Sequence, residues 1–377
     1  MEIYICQLEN LNMYPPTISL IHNLLRNGHR ITLISLNIPD KIVRRYEDLK
    51  VKVVNIETKN LYFKLFNKIY TKRLVSQKII ETCPPQSILW TTTDYTAATI
   101  RGILWRYKHV MQLMELIEDF PISKRLSTKA NLAKHARQAR CVVVPEYNRA
   151  HIQQAWWKLQ ELPFLLPNKP DWHPKIKKMP LSKTIPTKAQ DLLKRLSNKK
   201  IILYQGGFGA DRRLDVIAEA VKLLGSDYCL LLMGLHCEMV QHLTDHYPGI
   251  VHHIDYIAPP DHLYVTSYAH IGVLAYVADK PCIHYSLLNA LYCAPNKIYE
   301  YAGFGLPMVG NDIPGLKATI EAHHMGVCAS DMTPQAFVGA FLQVESRYDE
   351  LSRNSSEFYN TMDMDKRVED IIKHAAQ

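Results

Sequence analysis

The chain has 377 residues, of which 47% are hydrophobic and 21% are charged. This length exceeds one ordinary hydrophobic core, so two domains of roughly 150 to 200 residues each are expected. The composition excludes a disordered chain, and the absence of any run of about 18 apolar residues excludes a membrane-spanning helix. Met1 is followed by neither a basic nor a long apolar stretch, so no signal peptide is expected.

The net charge of +9 is concentrated in the first half of the chain. Up to Asn168 there are 24 Lys and Arg against 13 Asp and Glu, and the remainder has 21 against 23. The segment 41–78 carries 11 basic and 3 acidic residues, interleaved with aliphatic and aromatic residues. Such a mixture suits an anionic membrane surface, or a solvated helix whose apolar stripe packs on its own domain. No nucleic-acid module accompanies the charge, so no nucleic-acid partner is expected.

The eight cysteines are dispersed, lack Cys-x-x-Cys spacing and mostly lie in apolar runs; they are at positions 6, 83, 141, 229, 237, 282, 293 and 328. Free buried thiols in a reducing compartment are the expected state. We therefore predict a cytoplasmic protein. If segment 41–78 binds lipid, the protein is expected to be peripheral on the cytoplasmic face of the membrane.

In chain order, short β-branched runs alternate with amphipathic stretches in the first half. The predicted strands are Ile3–Cys6, Ile31–Leu36, Val51–Ile56, Ile88–Thr91 and Cys141–Val144. Between the first two, residues 17–27 place their apolar side chains on one helical face, and Gly28 supplies a left-handed stop. Strand, helix and strand form a βαβ unit, which predicts a parallel sheet.

Six prolines between Leu162 and Pro186 interrupt this pattern, which indicates a linker. The alternation then resumes, with strands predicted at Ile201–Tyr204, Tyr228–Met233, Ile250–Ile254, Ile271–Ala275, Pro307–Gly310 and Gly326–Ala329. The fold class predicted is α/β, with two Rossmann-like, doubly wound parallel-sheet domains facing a central cleft. The predicted division is a first domain at 1–168, a Pro-rich linker at 169–186, a second domain at 187–360 and a terminal helix at 361–377.

A glycine turn follows the first strand of the second half. Gly206, Gly207 and Gly209 permit close backbone approach, and Arg212 and Arg213, shortly after them, are cationic and open a helix. Free amides and the positive end of the helix dipole would favour a phosphate group at this place. An ordinary structural turn remains the alternative.

A second motif lies between Ala294 and Gly310. Pro295 can open a helix, after which Lys297 and Glu300 stand three residues apart on one helical face. The cation could face a phosphate, and the carboxylate could accept both hydroxyl groups of a ribose. An exposed Lys–Glu pair is the alternative explanation of the same spacing.

The two motifs together resemble the donor half of the family-four retaining glycosyltransferases, which have the GT-B fold. The family order is a glycine turn with a Lys or Arg, an Asn-Lys-x-x-Glu-Tyr segment, a Gly-x-Pro-Val turn and an Asp-x-Pro-Gly loop. Here these are Arg212, Asn296–Tyr301, Gly305–Val309 and Asp312–Gly315. The resemblance covers roughly 201–329, with weaker echoes at 145–149 and 165–168.

The resemblance implies a role for each matching residue of the donor half. Arg212 and Lys297 would be the catalytic cations on the two donor phosphates, and Glu300 would hold the ribose. The remaining donor-binding residues would be Gly206, Gly207, Tyr256, Ile257, Tyr292 and Asn296, with the backbone at Tyr256 and Ile257 contacting the base. The terminal helix, about 365–375, would cross back onto the first domain. The family needs neither a metal nor another cofactor, so none is expected.

Two positions depart from the family pattern. Many members carry a carboxylate eight residues before the ribose-binding glutamate, where this chain has Tyr292, and a basic residue just after the glycine turn, where it has Gly207 and Phe208. On the acceptor side, His109 and Glu115 stand where relatives often carry a His and a Glu in a loop facing the cleft. The pairs His252–His253 and His323–His324 lack the spacing of a zinc site, so packing is expected of them.

The resulting hypothesis is transfer of a sugar, with retention of anomeric configuration, from a nucleoside-diphosphate donor to a glycan or lipid-linked acceptor in cell-surface polysaccharide or glycoconjugate synthesis. The alternative is a catalytically weak or inactive GT-B subunit that supports a partner glycosyltransferase. A sugar-nucleotide epimerase would need an acid and a base around the sugar, and no such pair is evident. An NAD-dependent dehydrogenase is disfavoured because no Gly-x-Gly-x-x-Gly follows the first strand.

Overall fold

The computed structural model describes residues 1–58, 64–123, 128–171, 178–180, 182–278 and 285–377. The chain divides into two compact units. The first unit is Met1–Asp171 with Pro281–Asn289 and Asp363–Gln377, and the second is Trp172–Lys280 with Ala290–Met362. Each is built on one parallel sheet with helices between its strands, so the predicted α/β class with two Rossmann-like domains is confirmed.

The first unit contains a seven-stranded parallel sheet in the order β3-β2-β1-β4-β5-β8-β9 and a small antiparallel pair, β6-β7. The strands are β1 (Glu2–Gln7), β2 (Arg30–Leu36), β3 (Lys52–Ile56), β4 (Ile88–Thr91), β5 (Lys108–Gln112), β6 (Pro121–Ser123), β7 (Thr128–Lys129), β8 (Cys141–Val144) and β9 (Phe164–Leu165). The helices are α1 (Pro15–Arg26), α2 (Asp40–Asp48), α3 (Lys64–Thr82), α4 (Asp94–Ile100), α5 (Leu132–Gln138) and α6 (Tyr147–Trp157).

The five strands predicted in the first half are present within two residues of their expected ends, because each is a β-branched or aliphatic run buried in the sheet. Helix α1 begins earlier than predicted, at Pro15, since proline is tolerated in the first turn of a helix. Gly28 has a φ of +75°, as a left-handed stop requires.

Strand β5 was not predicted, because its sequence contains two polar residues that the sheet buries. His109 is 2% exposed and its Nε2 lies 2.9 Å from Thr91 Oγ1 on β4. Gln112 is equally buried, and its Oε1 accepts from Trp90 Nε1 at 2.8 Å. Each of the two polar side chains has a hydrogen-bond partner on the adjacent strand β4, so the run forms a central strand although it contains polar residues.

The second unit contains a six-stranded parallel sheet in the order β12-β11-β10-β13-β14-β15. The strands are β10 (Lys200–Gln205), β11 (Tyr228–Met233), β12 (Val251–Ile254), β13 (Ile271–Val273), β14 (Met308–Asn311) and β15 (Gly326–Ala329). The helices are α7 (Thr187–Arg195), α8 (Leu214–Leu224), α9 (Glu238–His246), α10 (His262–Thr266), α12 (Asn296–Gly303), α13 (Pro314–Ile320), α14 (Pro334–Ser346) and α15 (Tyr348–Thr361). Helix α11 (Leu287–Leu291) is divided between the two units, which change over after Asn289. All six predicted strands of this half are present.

The last helix, α16 (Met364–Ala376), belongs to the first unit. Its Asp365 carboxylate accepts from Arg26 on α1, with Nη2 and Oδ1 2.8 Å apart, and its Glu369 lies 3.0 Å from His29 Nε2. The predicted linker at 169–186 is described only in part, since residues 172–177 and 181 lie outside the described residues.

The cysteines in the described part of the chain are free, and all of them except Cys237 are buried. Cys282 lies outside the described residues. Among the helices of the described ranges, none is both long and apolar enough to cross a bilayer.

Candidate active site

The predicted donor residues lie at the carboxyl end of the second sheet, where β10 is followed by the glycine turn. Gly206 has a φ of +123°, a backbone conformation that residues other than glycine rarely adopt. Its amide donates to the Met233 carbonyl at 2.9 Å. A Cβ atom at Gly206 would lie 3.0 Å from Lys297 Cε. The positive φ favours glycine at this position, and the stem of Lys297 passes directly over it.

The two predicted cations share one aromatic ring. Arg212 ends a single 3-10 turn, Ala210–Arg212, and its guanidinium carbon lies 4.1 Å from the centroid of the Tyr276 ring. Lys297 Nζ lies 5.3 Å from the same centroid and 3.2 Å from the Tyr276 hydroxyl oxygen. The same ammonium is 4.4 Å from the Tyr204 centroid. Both cations are thus brought together on Tyr276, although 84 residues separate them in the sequence.

Tyr276 is itself fixed by Asn311, the last residue of β14. The Asn311 Oδ1 accepts from the Tyr276 amide and its Nδ2 donates to the Tyr276 carbonyl, each at 2.9 Å. Asn311 is 8% exposed and Tyr276 is 7% exposed. This double hydrogen bond holds the backbone beneath the ring, so the position of both cations depends on a side chain from a different strand.

The ammonium of Lys297 is held in a surrounding that disfavours its charge. Burial lowers the pKa of Lys297 to about 7, and the positive charge of Arg212 is the second cause of this shift. The charge of Glu300 opposes the shift. A lysine that is only partly protonated near neutral pH gains its full charge when an anion binds beside it. Lys297 and Arg212 therefore form a cationic site that reaches its full positive charge only when an anion such as a diphosphate binds.

Glu300 lies one turn beyond Lys297 on α12 and is 6% exposed. Its Oε2 accepts from Gln205 Nε2 at 2.5 Å, and its Oε1 lies 3.1 Å from His262 Nε2. Gln205 is oriented in turn by Thr266, whose hydroxyl donates to Gln205 Oε1 at 2.7 Å. The carboxylate is thus placed by three different elements, β10, α10 and α12.

Burial alone would raise the pKa of Glu300, but His262 and the Gln205 hydrogen bond outweigh burial and hold that pKa below its usual value. Glu300 is therefore ionised at neutral pH. Each carboxylate oxygen has a second lone pair, so the group can accept further hydrogen bonds from hydroxyl groups.

Helix α12 presents Lys297 and Glu300 together because its opposite face is anchored in the core. Pro295 precedes the first turn in an extended conformation, which starts the helix. Ile298 and Tyr301 are buried, and the Tyr301 hydroxyl donates to the Leu203 carbonyl at 3.0 Å. The predicted common face of Lys297 and Glu300 follows from this anchoring.

The other predicted donor residues lie at the same sheet edge. Gly207 is exposed, and its carbonyl accepts from the Tyr204 hydroxyl at 2.8 Å. Tyr256 is 39% exposed and Ile257 is 7% exposed, both in the loop after β12. Tyr292 is half-buried before α12, and Asn296, also half-buried, is the first residue of α12.

Two expectations about the glycine turn need correction. Arg213 was expected to add a second cation for a phosphate, but its Nε donates to Asp215 Oδ1 at 3.1 Å on the exposed side of the helix start. The turn also does not lead directly into α8, since the 3-10 turn that carries Arg212 intervenes. Arg213 has a left-handed φ of 44° and directly precedes α8.

On the acceptor side, Glu115 lies in the loop after β5 and its side chain is 41% exposed, with Oε2 3.8 Å from Arg149 Nη1. The expected loop position of His109 is wrong, because this residue lies inside β5. Burial lowers the pKa of His109 to about 3, and the charge of His135 is the second cause of this shift. The imidazole is therefore neutral in the sheet. Enclosure on both faces of the sheet leaves His109 without access to a ligand.

Sequence reasoning missed Gln205, His262, Tyr276 and Asn311, which position the cations and the carboxylate. Gln205 and Asn311 are the terminal residues of β10 and β14, and polar residues at the carboxyl ends of parallel strands are a signal of a site. Tyr276 and His262 had no comparable signal, because their partners are remote in sequence.

No protein-family model matches the sequence, and no curated protein matches it either. Solved structures do share its fold. A glycosyltransferase from Rickettsia africae superposes with a TM-score of 0.67 at 13% identity, over 99% of this chain and 97% of that chain. HepE from Anabaena, solved with UDP-glucose, gives a TM-score of 0.68 at 12% identity, over 99% and 98% of the two chains.

A candidate UDP-N-acetylglucosamine 2-epimerase from Listeria monocytogenes also superposes, with a TM-score of 0.62 at 11% identity over 98% of this chain and 94% of its own. These neighbours have two Rossmann-like domains, and the chain has the GT-B fold that was expected from its motifs. Because transferases and an epimerase share this fold, the fold does not by itself fix the reaction.

Proposed function

We propose that this chain is a retaining, metal-independent glycosyltransferase that moves a sugar from a nucleoside-diphosphate donor to a glycan or lipid-linked acceptor. The single observation that carries the proposal is the placement of Arg212 and Lys297 on one tyrosine ring above the glycine turn, with Glu300 on the same face of α12. HepE, which has the same fold, was solved in complex with UDP-glucose.

The proposed reaction depends on stabilisation of the leaving group. As the sugar departs, negative charge accumulates on the diphosphate, and fixed cations stabilise this charge more in the transition state than in the bound donor. Arg212 and Lys297 would supply these charges, and Glu300 would accept hydrogen bonds from the ribose. Deprotonation of the acceptor hydroxyl by the departing phosphate would give attack on the same face and retention.

The first test is a panel of uridine, guanosine and adenosine diphosphate sugars added to the pure chain. A matching donor at about 100 times its dissociation constant should stabilise the fold by roughly 2.7 kcal/mol, measurable as a rise in Tm. A chelator should leave this rise unchanged. Absence of stabilisation by every member of the panel would contradict the proposal.

Product analysis with the matching donor separates the proposed transferase from its alternatives. A new glycosidic bond with the donor's anomeric configuration, seen by NMR, supports the transferase. Conversion of the donor to its epimer indicates an epimerase of the same fold. Donor binding without any product indicates the catalytically weak or inactive subunit. Tyr292 motivates this alternative, because it stands where many members of the family carry a carboxylate.

We also propose that the basic segment 41–78 holds the protein on an anionic membrane surface in cell-surface polysaccharide or glycoconjugate synthesis. Of this segment, residues 59–63 lie outside the described residues. In the described part, Ile69 and Tyr70 on α3 are 45% and 39% exposed, and Lys41, Arg44 and Arg45 on α2 are exposed. Exposed apolar residues beside basic ones suit an anionic bilayer surface.

Cosedimentation with phosphatidylglycerol vesicles should show binding that weakens with salt, and phosphatidylcholine vesicles should bind less, because each basic residue contributes about 1 kcal/mol near an anionic surface. Changing Lys41, Arg44 and Arg45 to Glu should reduce binding. The control is Lys194→Glu, which changes an exposed lysine of the second unit. Equal affinity for both lipids would refute the membrane proposal.

A further inference from the structure

Helix α9 of the second unit carries two histidines that the donor site does not use. His242 and His246 are four residues apart, so their side chains leave the same face of the helix one turn apart. Both residues are exposed to solvent, and within the described ranges neither imidazole has a hydrogen-bond or ion-pair partner. We call these two residues the α9 histidine pair.

The orientation of both rings is set by packing before any ligand binds. The ring of His246 lies nearly perpendicular to that of Tyr247, at 82° with centroids 4.9 Å apart. Tyr247 is covered in turn by the ammonium of Lys222, which lies 5.8 Å from its ring centroid. His242 stacks on His246, with centroids 5.7 Å apart and ring planes 15° apart. The two imidazoles therefore extend from the helix side by side.

Two imidazoles in this arrangement have the chemistry of a transition-metal site. A neutral imidazole offers one nitrogen lone pair as an acceptor. Zinc, nickel and copper ions bind imidazole nitrogen well, whereas Mg²⁺ prefers oxygen ligands. Two histidines four residues apart on one face of a helix can bind the same ion. The α9 histidine pair thus supplies two adjacent ligands from a single rigid element.

The charges around the pair favour a cation. His246 is the last residue of α9, and the C-terminal end of a helix is the negative end of its dipole. Glu219 on α8 is nearby, because the hydrogen bond from Lys222 and, to a smaller extent, the charge of His246 lower the pKa of Glu219. The ammonium of Lys222 is paired with Glu219 Oε1 at 3.1 Å, which offsets its repulsion of a cation.

The site is open and separate from the donor residues. In the part of the chain that the structure describes, no group of three or more histidines, cysteines and carboxylates could hold a metal ion, so water would occupy the other positions of an ion bound by the pair. Helix α9 follows β11 and returns toward the amino edge of its sheet, and the pair lies in its later turns. The donor residues follow the carboxyl ends of the strands.

We propose that the α9 histidine pair binds one divalent transition-metal ion, through one nitrogen of each imidazole and with water in the remaining positions. The proposal goes beyond the glycosyltransferase function, in which no metal takes part. An ion at this place joins two turns of one helix and leaves donor binding and transfer unchanged.

The test uses the full chain without a polyhistidine tag and Ni²⁺ alone as the probe, titrated by isothermal titration calorimetry in a non-chelating buffer at pH 7.5. The wild-type chain should have one tightest Ni²⁺ site per chain, and Mg²⁺ should not bind there. His242→Asn and His246→Asn should each lower the affinity of this site at least about tenfold, because each removes one of two protein ligands. His324→Asn is the matched control, since it changes an exposed histidine of the same unit whose left-handed φ of 51° asparagine tolerates.

Each single variant should lose as much Ni²⁺ affinity as the double variant, because one imidazole alone cannot chelate the ion. Three results would overturn the proposal: equal affinities of the His242→Asn and His324→Asn chains, single variants midway between wild type and the double variant, or Mg²⁺ bound as tightly as Ni²⁺. All three histidines are exposed, so the variants should fold, and unchanged circular dichroism checks this.

Stabilisation by a nucleotide sugar is measured on the same preparations. Its absence in the wild-type chain would contradict the glycosyltransferase function and leave the nickel result intact. Its presence in a wild-type chain that does not bind Ni²⁺ would contradict only the α9 histidine pair.

Discussion

Replacement of Lys297 by Met should largely remove stabilisation of the chain by its nucleotide-sugar donor and lower the transfer rate by roughly 10²- to 10³-fold, or about 2.7 to 4 kcal/mol in the transition state. The same loss is expected for Arg212→Gln, because both cations lie against the Tyr276 ring. Differential scanning fluorimetry with and without donor, and initial rates of transfer, measure the two effects.

The free chain should not lose stability with Lys297→Met. The pKa of Lys297 in the folded chain is about 7, below the 10.5 of an ordinary lysine. Between these two pH values the unfolded chain binds more protons than the folded chain, so the charged form of Lys297 disfavours folding. Methionine removes that cost, and Tm without donor should stay the same or rise.

Arg213→Gln is the matched control for both variants, since Arg213 is the neighbouring arginine and its guanidinium pairs with Asp215. Donor stabilisation and transfer should match wild type. A full donor response in the Lys297→Met chain, or an equal loss in the Arg213→Gln chain, would show that the cations on Tyr276 do not bind the diphosphate.

Donor affinity should fall as the pH rises from 7 to 9, by up to about tenfold per pH unit. In the free chain Lys297 has a pKa of about 7, lowered by burial and by Arg212, so it loses its proton over this range. A bound diphosphate raises that pKa, so the complex retains the proton and binding takes up about one proton near pH 8. The charge of the pyrophosphate diester of a nucleotide sugar is constant over the same range.

Isothermal titration calorimetry in two buffers of different ionisation enthalpy measures this proton uptake directly. The Lys297→Met chain provides the comparison, because its residual affinity, measured at high donor concentration, should no longer depend on pH between 7 and 9. A wild-type affinity that is flat across this range, with no proton uptake, would mean that Lys297 is fully charged before the donor arrives.

Glu300 illustrates how the candidate site combines motif and packing. The Lys-x-x-Glu spacing alone is also typical of an exposed surface pair, worth only a few tenths of a kcal/mol. In the fold, the carboxylate is instead enclosed between Gln205 and His262, and its two oxygens are both partnered. This arrangement fixes the orientation of the group before any donor binds, which lowers the ordering cost of binding.

Most of the sheet architecture was predictable from the sequence. Strands of a parallel sheet are buried on both faces, so they appear as continuous apolar runs that need no partner to be recognised. Runs such as Cys141–Val144 and Tyr228–Met233 therefore have in the structure the bounds that were predicted. Strand β5 is the counterexample, since His109 and Gln112 look unsuited to a core until their partners on β4 are known.

The amino-acid sequence by itself determined the α/β class, the glycine turn and the common face of Lys297 and Glu300, because each depends on a local period or on backbone freedom at one residue. Only the tertiary structure decided which side chains surround them. Tyr276 reaches both cations, and Gln205 and His262 reach Glu300. These contacts join residues that are remote in sequence and that meet only when the sheet has formed. A local sequence pattern therefore cannot predict them.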